Sequence, residues 1–280
     1  MIDTAIVGLI DILGYESLVK RHMENIEVIR GIERLLKQST VGIMEKLKGI
    51  TISEIYENPI IEDYYNKVVD AISIRFISDT ILFSLQFSKI RFYPSVCSRE
   101  ETISHCIHLY LALVSNFCTL FIAKTGLLLR GGISIGSHYE SESNRQENNF
   151  FVFSRAYLNA YRLERAAKNP RILVDDTFWS YLKEISFHNS EFYFYRDKDK
   201  RNCFDFYCFL RHDTHSQSVL TDIRKGVLDQ LKIDKDDNES LEKSIYFVEY
   251  HNRKVSRDEL AFPELAIDIE KFKRQEMDGA

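Results

Sequence analysis

The sequence predicts an α+β fold with helices packed on one sheet, and three observations carry that prediction. Apolar runs of strand length over 4–12, 71–87 and 127–136 alternate with segments whose apolar residues recur at helical spacing. Two of those runs each deliver a single aspartate at a bend: Asp11 in Ile10-Asp11-Ile12-Leu13-Gly14, and Asp79 in Ile77-Ser78-Asp79-Thr80, 68 residues further on. The third, Leu129-Arg130-Gly131-Gly132-Ile133-Ser134, has glycines inside it, which weaken a strand unless another backbone must come close.

Taken in order, 4–12 reads as a strand buried on both faces, and Gly14-Tyr15 turns the chain. Ser17 to about Leu47 carries one or two helices (Leu18, Ile26, Ile29, Ile32, Leu35, Leu36), with Gly31 a soft point. Residues 50–70 are mixed. Residues 71–87 alternate as a hairpin bent at Ser78-Asp79-Thr80. Glu101 to Ala123 is the clearest helix, stopped by Gly126. After the glycine-bearing strand, 139–149 is a polar loop. Ser154 to Lys168 is a helix closed by Asn169-Pro170, and Arg171 to Val174 is a short strand. Phe192–Tyr195 and Cys203–Leu210 form an aromatic hairpin around the charged turn 196–202. Helices over 216–231 and 239–252 flank an acidic loop, 232–238. The expected organisation is a core over 1–178 with a C-terminal hairpin and helices, 179–280, packed on it.

A hydrophobic share of 45% supports a full core, and four prolines with eleven glycines leave no low-complexity linker. A net charge of -5 offers no general attraction to nucleic acid or to an anionic membrane, so neither is an expected partner. Five cysteines without a Cys-x-x-Cys pair read as free thiols. No signal peptide is apparent, and no run approaches the roughly 20 apolar residues of a membrane helix. The expected location is the cytoplasm.

Paired carboxylates suit a hard cation such as magnesium or manganese, with substrate phosphates completing the shell; the competing reading is that Asp11 and Asp79 each cap a turn. Leu13-Gly14-Tyr15 leads into a helix and offers backbone N–H groups to a phosphate. Arg130 shares a strand face with Gly132 and Ser134, so it reaches either a phosphate or a surface acid. On the helix 154–168, Ala156, Ala160, Leu163 and Ala167 form a narrow apolar face. Arg155, Asn159 and Arg162 share another, suited to developing negative charge or simply to solvent.

Together these pieces resemble the class III nucleotide cyclase catalytic domain. The likeness rests on Asp11-Ile12-Leu13-Gly14-Tyr15, Ser78-Asp79, Arg130-Gly131-Gly132-Ile133 and the helix leading to Arg171-Ile172-Leu173-Val174, over residues 4–178. More narrowly the chain is similar to the bacterial Pycsar pyrimidine cyclases of anti-phage defence. The similar segments are Leu129 to Ser134, Ala160-Tyr161-Arg162-Leu163-Glu164, Asp205-Phe206-Tyr207-Cys208-Phe209 and Glu249-Tyr250-His251-Asn252.

The resemblance implies a class III cyclase-like fold with a ferredoxin-like core sheet. It implies conversion of UTP, or less readily CTP, to a 3′,5′-cyclic monophosphate that acts on a separate effector. Asp11 and Asp79, with the Ile12 carbonyl, would hold two Mg2+ or Mn2+ ions. Leu13, Gly14, Tyr15 and Arg130 would bind the triphosphate, and Arg162 would reach the transition state from the partner of a homodimer. Where the family has its second transition-state residue, an asparagine, this chain has Leu158, with Asn159 one step off. The adenine-reading lysine and aspartate fall at Ser73 and Phe151, consistent with a pyrimidine base. The rival expectations are an adenylate or guanylate cyclase and an inactive cyclase-like sensor of nucleotide.

Overall fold

The computed structural model describes residues 2–38, 66–92, 94, 97–140, 151–188, 190–256 and 259–278. Strand β1 (Asp3–Ile12) leads through α1 (Tyr15–His22) and α2 (Ile26–Gln38) to the hairpin β2 (Ile72–Ile77) and β3 (Thr80–Gln86). Helix α3 (Arg99–Thr125) and strand β4 (Leu129–Glu140) follow. These strands lie in the order β2-β3-β1-β4, each neighbouring pair antiparallel. That arrangement is the expected ferredoxin-like core.

Beyond it, β5 (Val152–Ser154) pairs with the end of β4, α4 (Arg155–Ala167) crosses over, and β6 (Ile172–Val174) joins β4 in parallel. Helices α5 (Asp176–Glu184) and α6 (Ser190–Tyr193) lead to the hairpin β7 (Phe194–Arg196) and β8 (Asn202–Phe204). This hairpin extends the same sheet past β6. Helices α7 (Thr214–Asp234), α8 (Asn238–Val255) and α9 (Ile269–Asp278) complete the chain.

Strand alternation divides β1 between two layers. Ile6, Ile10 and Ile12 join the main core with α3, whose Tyr110, Phe117 and Phe121 are fully buried. Burying one such aromatic contributes roughly 1.5–3 kcal/mol. Ala5, Val7 and Leu9 face the other way and are covered by Ala156 and Ala160 of α4. The α4 contact is close because β4 has glycine there: a Cβ on Gly132 would lie 2.3 Å from the Ala160 carbonyl oxygen and 2.6 Å from Leu163 Cβ. Helix α3 starts on a capping box between Ser98 and Glu101 and ends at Gly126, in the left-handed region at φ 70°. Its length and apolar composition would suffice to cross a membrane, contrary to the sequence expectation, but here it is the buried core helix.

Several boundaries differ from expectation. The first helical stretch breaks at Met23–Asn25 rather than at Gly31, which lies within α2. The remainder of that stretch and most of 50–70 lie outside the described residues, although 66–70 are helical. Strand β4 continues through Tyr139 and Glu140, placed in a loop by their polarity, because β5 pairs with them. In the aromatic hairpin, Phe192 and Tyr193 are helical and 206–209 form a turn; burial of Tyr193, Phe206 and Tyr207, not strand pairing, accounts for those aromatics. Helix α7 runs on through Asp234, whose carboxylate accepts from Ser244 and Gln230. All five cysteines are free.

Two glycine substitutions separate these roles. Gly132→Ala is expected to lower stability by about 1–3 kcal/mol, since backbone of α4 must shift. Gly31→Ala, with nothing among the described residues within 4 Å of the added carbon, is expected to raise stability by roughly 0.4–1 kcal/mol. Urea unfolding midpoints measure both.

Candidate active site

The alternation that buries Ala5, Val7 and Leu9 under α4 brings Asp11 to the same face, at the end of β1. Asp11 pairs across the sheet with Thr80 on one side and Arg130 on the other. Asp79 precedes Thr80 in the β2–β3 turn, and its carbonyl accepts the Ile12 N–H at 3.1 Å. The two-residue turn requires Ser78 at φ 59°, a left-handed backbone that costs a serine on the order of 1 kcal/mol. Both predicted carboxylates are therefore brought to one corner of the sheet.

Arg130 lies between two acids. Its Nε–H donates to Asp11 Oδ2 at 3.0 Å. Glu164 Oε1 of α4 is 2.6 Å from the same nitrogen but without hydrogen-bond alignment, which makes that contact an ion pair. The side chains of Asp11 and Glu164 are only 14% and 6% exposed, so the local dielectric is low. Burial pushes the Asp11 carboxyl above its ordinary value; the charge of Arg130 opposes the rise and that of Asp79 adds to it. Burial also raises Glu164, offset by Arg130 and reinforced by Asp11. Two buried carboxylates thus share one guanidinium, with the charge of Asp79 felt at Asp11. Among the described residues, no hydrogen bond is made by the Arg130 Nη groups, by Asp11 Oδ1 or by the Asp79 carboxylate.

The turn after β1 is less open than expected. The Leu13 N–H is taken by the Leu128 carbonyl at 2.9 Å, because β1 continues to pair past its last strand residue. The amides of Gly14 (φ 77°) and Tyr15 open α1, and among the described residues they have no acceptor. Tyr15 also lines a largely apolar 480 Å³ groove with Leu18, Met23, Ile29 and Phe76, whose lining includes neither Asp11 nor Asp79.

Helix α4 separates the remaining candidates. Asn159 and Arg162 line a 640 Å³ groove shared with Asp175, Arg196, Lys200 and Arg201, next to β6 and β8 rather than β1. Arg155, read onto the same face, is exposed and does not line that groove. Ser73 donates to Glu140 at 3.0 Å, whereas Phe151 is exposed with its ring 6.4 Å from Tyr139.

Glu164 escaped the sequence reading, although it stands four residues after Ala160 and so belongs to the small apolar face of α4. An acid on such a face was the available signal. The basic residues of the β7–β8 turn were read only as a charged loop.

No protein-family model matches the chain, and no curated protein matches it. Among solved structures it is similar to the adenylyl cyclase CyaB from P. aeruginosa, at 18% identity over 66% of this chain and 82% of that one, with a TM-score of 0.40. It is also similar to the dimeric guanylyl cyclase domain of the RhoGC fusion protein from the aquatic fungus Blastocladiella emersonii, at 12% identity over 72% and 92%, TM-score 0.40. A third is the guanylate cyclase domain of RhGC from Catenaria anguillulae in complex with GTP, at 13% identity over 65% and 82%, TM-score 0.39.

The raised carboxyls give this corner a pH signature. A carboxyl raised on folding contributes stability below its unfolded pKa and loses it as pH rises through its folded pKa; the ionised forms are therefore a cost at neutral pH. Asp11→Asn is expected to raise the melting temperature at pH 7, with the gain shrinking toward pH 4. A lower melting temperature at pH 7 would contradict the electrostatic account.

Proposed function

We propose that the chain is a homodimeric, metal-dependent nucleotide cyclase. It converts a pyrimidine nucleoside triphosphate, UTP rather than CTP, to the 3′,5′-cyclic monophosphate and pyrophosphate. The observation that carries this reading is a division across the fold. Asp11, Asp79 and Arg130 converge at one corner, while Asn159 and Arg162 face a separate basic groove. A site needing both sets takes them from two chains, as the resemblance to class III cyclases implies.

The donor set fits a hard divalent cation. Asp11 and Asp79 offer oxygen ligands, and bound positive charge would relieve the repulsion that helps raise Asp11. Among the described residues no group of three or more His, Cys, Asp or Glu could enclose a metal, so a cation there would draw further ligands from substrate phosphates. Asp11, Asp79 and the Ile12 carbonyl would hold two Mg2+ or Mn2+ ions. When bound, such ions acidify the ribose 3′-hydroxyl and neutralise triphosphate charge.

The chain's own groups do the rest. Arg130, anchored through Nε, directs its terminal N–H groups to the triphosphate, and the Gly14 and Tyr15 amides add to that cradle. The 3′-oxygen gives up its proton to solvent and attacks the α-phosphorus, the bond to the β-phosphate bridging oxygen breaks, and pyrophosphate leaves with the electron pair. Arg162 and Asn159 of the second chain stabilise the charge that develops on the α-phosphoryl oxygens. Ser73 and Phe151, lacking a lysine–aspartate pair for adenine, lie at the base end. The proposed setting is a soluble cytoplasmic enzyme, its catalytic core over 1–178 and its extension over 179–280. Its product signals to a separate effector in anti-phage defence.

Two measurements test this. Purified protein with manganese and each of the four NTPs is expected to yield cyclic UMP above all, and Asp79→Ala to lose at least about 100-fold in rate. Exclusive cyclic AMP or GMP would overturn the pyrimidine assignment. Equal inactivity of wild type and Asp79→Ala would favour a nucleotide-binding sensor. Manganese is also expected to raise the melting temperature of wild type but not of Asp79→Ala. Mixing inactive Asp79→Ala and Arg162→Ala chains is expected to restore about a quarter of wild-type activity, because half the dimers are mixed and each then holds one intact site.

A further inference from the structure

The Nε of Arg130 carries one hydrogen, and two carboxylate oxygens compete for it. Asp11 Oδ2, at 3.0 Å, is aligned and takes it. Glu164 Oε1, at 2.6 Å, is closer but unaligned. That oxygen is buried and, among the described residues, has no hydrogen-bond donor. A buried acceptor without a donor keeps its desolvation penalty unrelieved, and such atoms are rare in folded proteins. Packing does not require an acid here, since apolar residues of like volume often replace buried ion pairs without loss of stability.

Asp11 has the complementary problem. Its Oδ1 makes no hydrogen bond among the described residues, while Oδ2 carries the Arg130 bond. A carboxylate that joins two divalent ions presents both oxygens to them. The guanidinium on Oδ2 occupies a lone pair there and repels an approaching dication. Loading the clamp therefore requires Arg130 to let go of Asp11. The two side chains are only 28% and 14% exposed, so an Nε–H released without another acceptor would be left poorly solvated.

Glu164 relieves both problems at once. A small rotation of the Arg130 side chain brings the same N–H into line with Oε1, so one bond is exchanged for another. The second acceptor lies this close because Gly132 lets the backbone of α4 sit directly on the sheet. Among the described residues the Nη groups of Arg130 make no hydrogen bond, so moving the anchor from β1 to α4 leaves them free for phosphate.

We infer that Glu164 is a positioning residue for metal loading: it takes the Arg130 Nε–H from Asp11 when a divalent ion binds, which frees Asp11 Oδ2 as a ligand and keeps Arg130 anchored. The inference rests on the cyclase reading, because it takes Asp11 as a metal ligand. It adds the step by which the corner passes from ion pair to clamp.

The test is manganese affinity without nucleotide, measured by titration calorimetry on wild type, Glu164→Ala and Glu164→Asp, with melting curves to confirm folding. Glu164→Asp keeps the charge but draws the carboxylate back by one methylene, away from Nε. Both variants are expected to bind manganese at least about tenfold more weakly than wild type. In Arg130→Gln chains nothing has to be handed over, and there Glu164→Asp is expected to change the affinity by less than about twofold. An acid acting only through its charge would leave Glu164→Asp at wild-type affinity. A purely structural one would lower the melting temperature and leave manganese affinity unchanged. Either result, or an equal loss with and without Arg130, overturns the inference; if Glu164→Ala does not fold, Glu164→Asp alone decides. Wild type that binds no manganese, or binds it no better than Asp79→Ala does, removes the metal clamp of the cyclase reading and this inference with it. Intact wild-type binding with unaffected Glu164 variants removes the inference alone.

Discussion

The contact on which the rest of the site depends is the Arg130 guanidinium shared by Asp11 and Glu164. It joins β1, β4 and α4 at one point, where Asp11 and Glu164 would otherwise repel one another in a partly dry corner. At an effective dielectric near 20, a unit-charge pair 4 Å apart interacts by about 4 kcal/mol, and desolvation takes back much of that gain. The corner is therefore not a source of stability. It is affordable because the sheet on either side is packed from apolar residues that need no such device.

Close approach makes the contact geometrically available. Gly132 sits against the Ala160 carbonyl, so a side chain there would force α4 off the sheet, whereas one at Gly131 would strike the Leu9 carbonyl of the neighbouring strand β1. With alanines at 156, 160 and 167 facing the sheet, α4 comes near enough for Glu164 to meet Arg130. Small residues on two elements set the distance at which two charged residues meet.

Much of this was legible in the sequence, for reasons that can be named. β1 and the β2–β3 hairpin carried strong period-two or continuous apolar signals, and an aspartate ending such a run is costly enough to be noticed. Gly131 and Gly132 announced a close backbone neighbour without saying which. What stayed hidden depended on long-range pairing. Glu140 looked like part of a polar loop because its partners come from β2 and β3, at sequence separations of 54 to 67 residues. Arg130 read as reaching either a phosphate or a surface acid, since nothing local indicates that α4 returns a buried acid to it. The break between α1 and α2 carries neither glycine nor proline, so local propensity misplaced it at Gly31.

Arg162 and Glu164 stand two residues apart on α4, a turn of about 200° around the helix axis. One therefore faces the basic groove while the other meets Arg130 beneath it. This fixes where the chain tolerates a change of length. An inserted residue between them would rotate one face against the other by about 100°, so no rigid shift of the helix could restore both. The same insertion upstream of β5 would leave the helix intact. By this helical phase α4 behaves as a segment of fixed gauge.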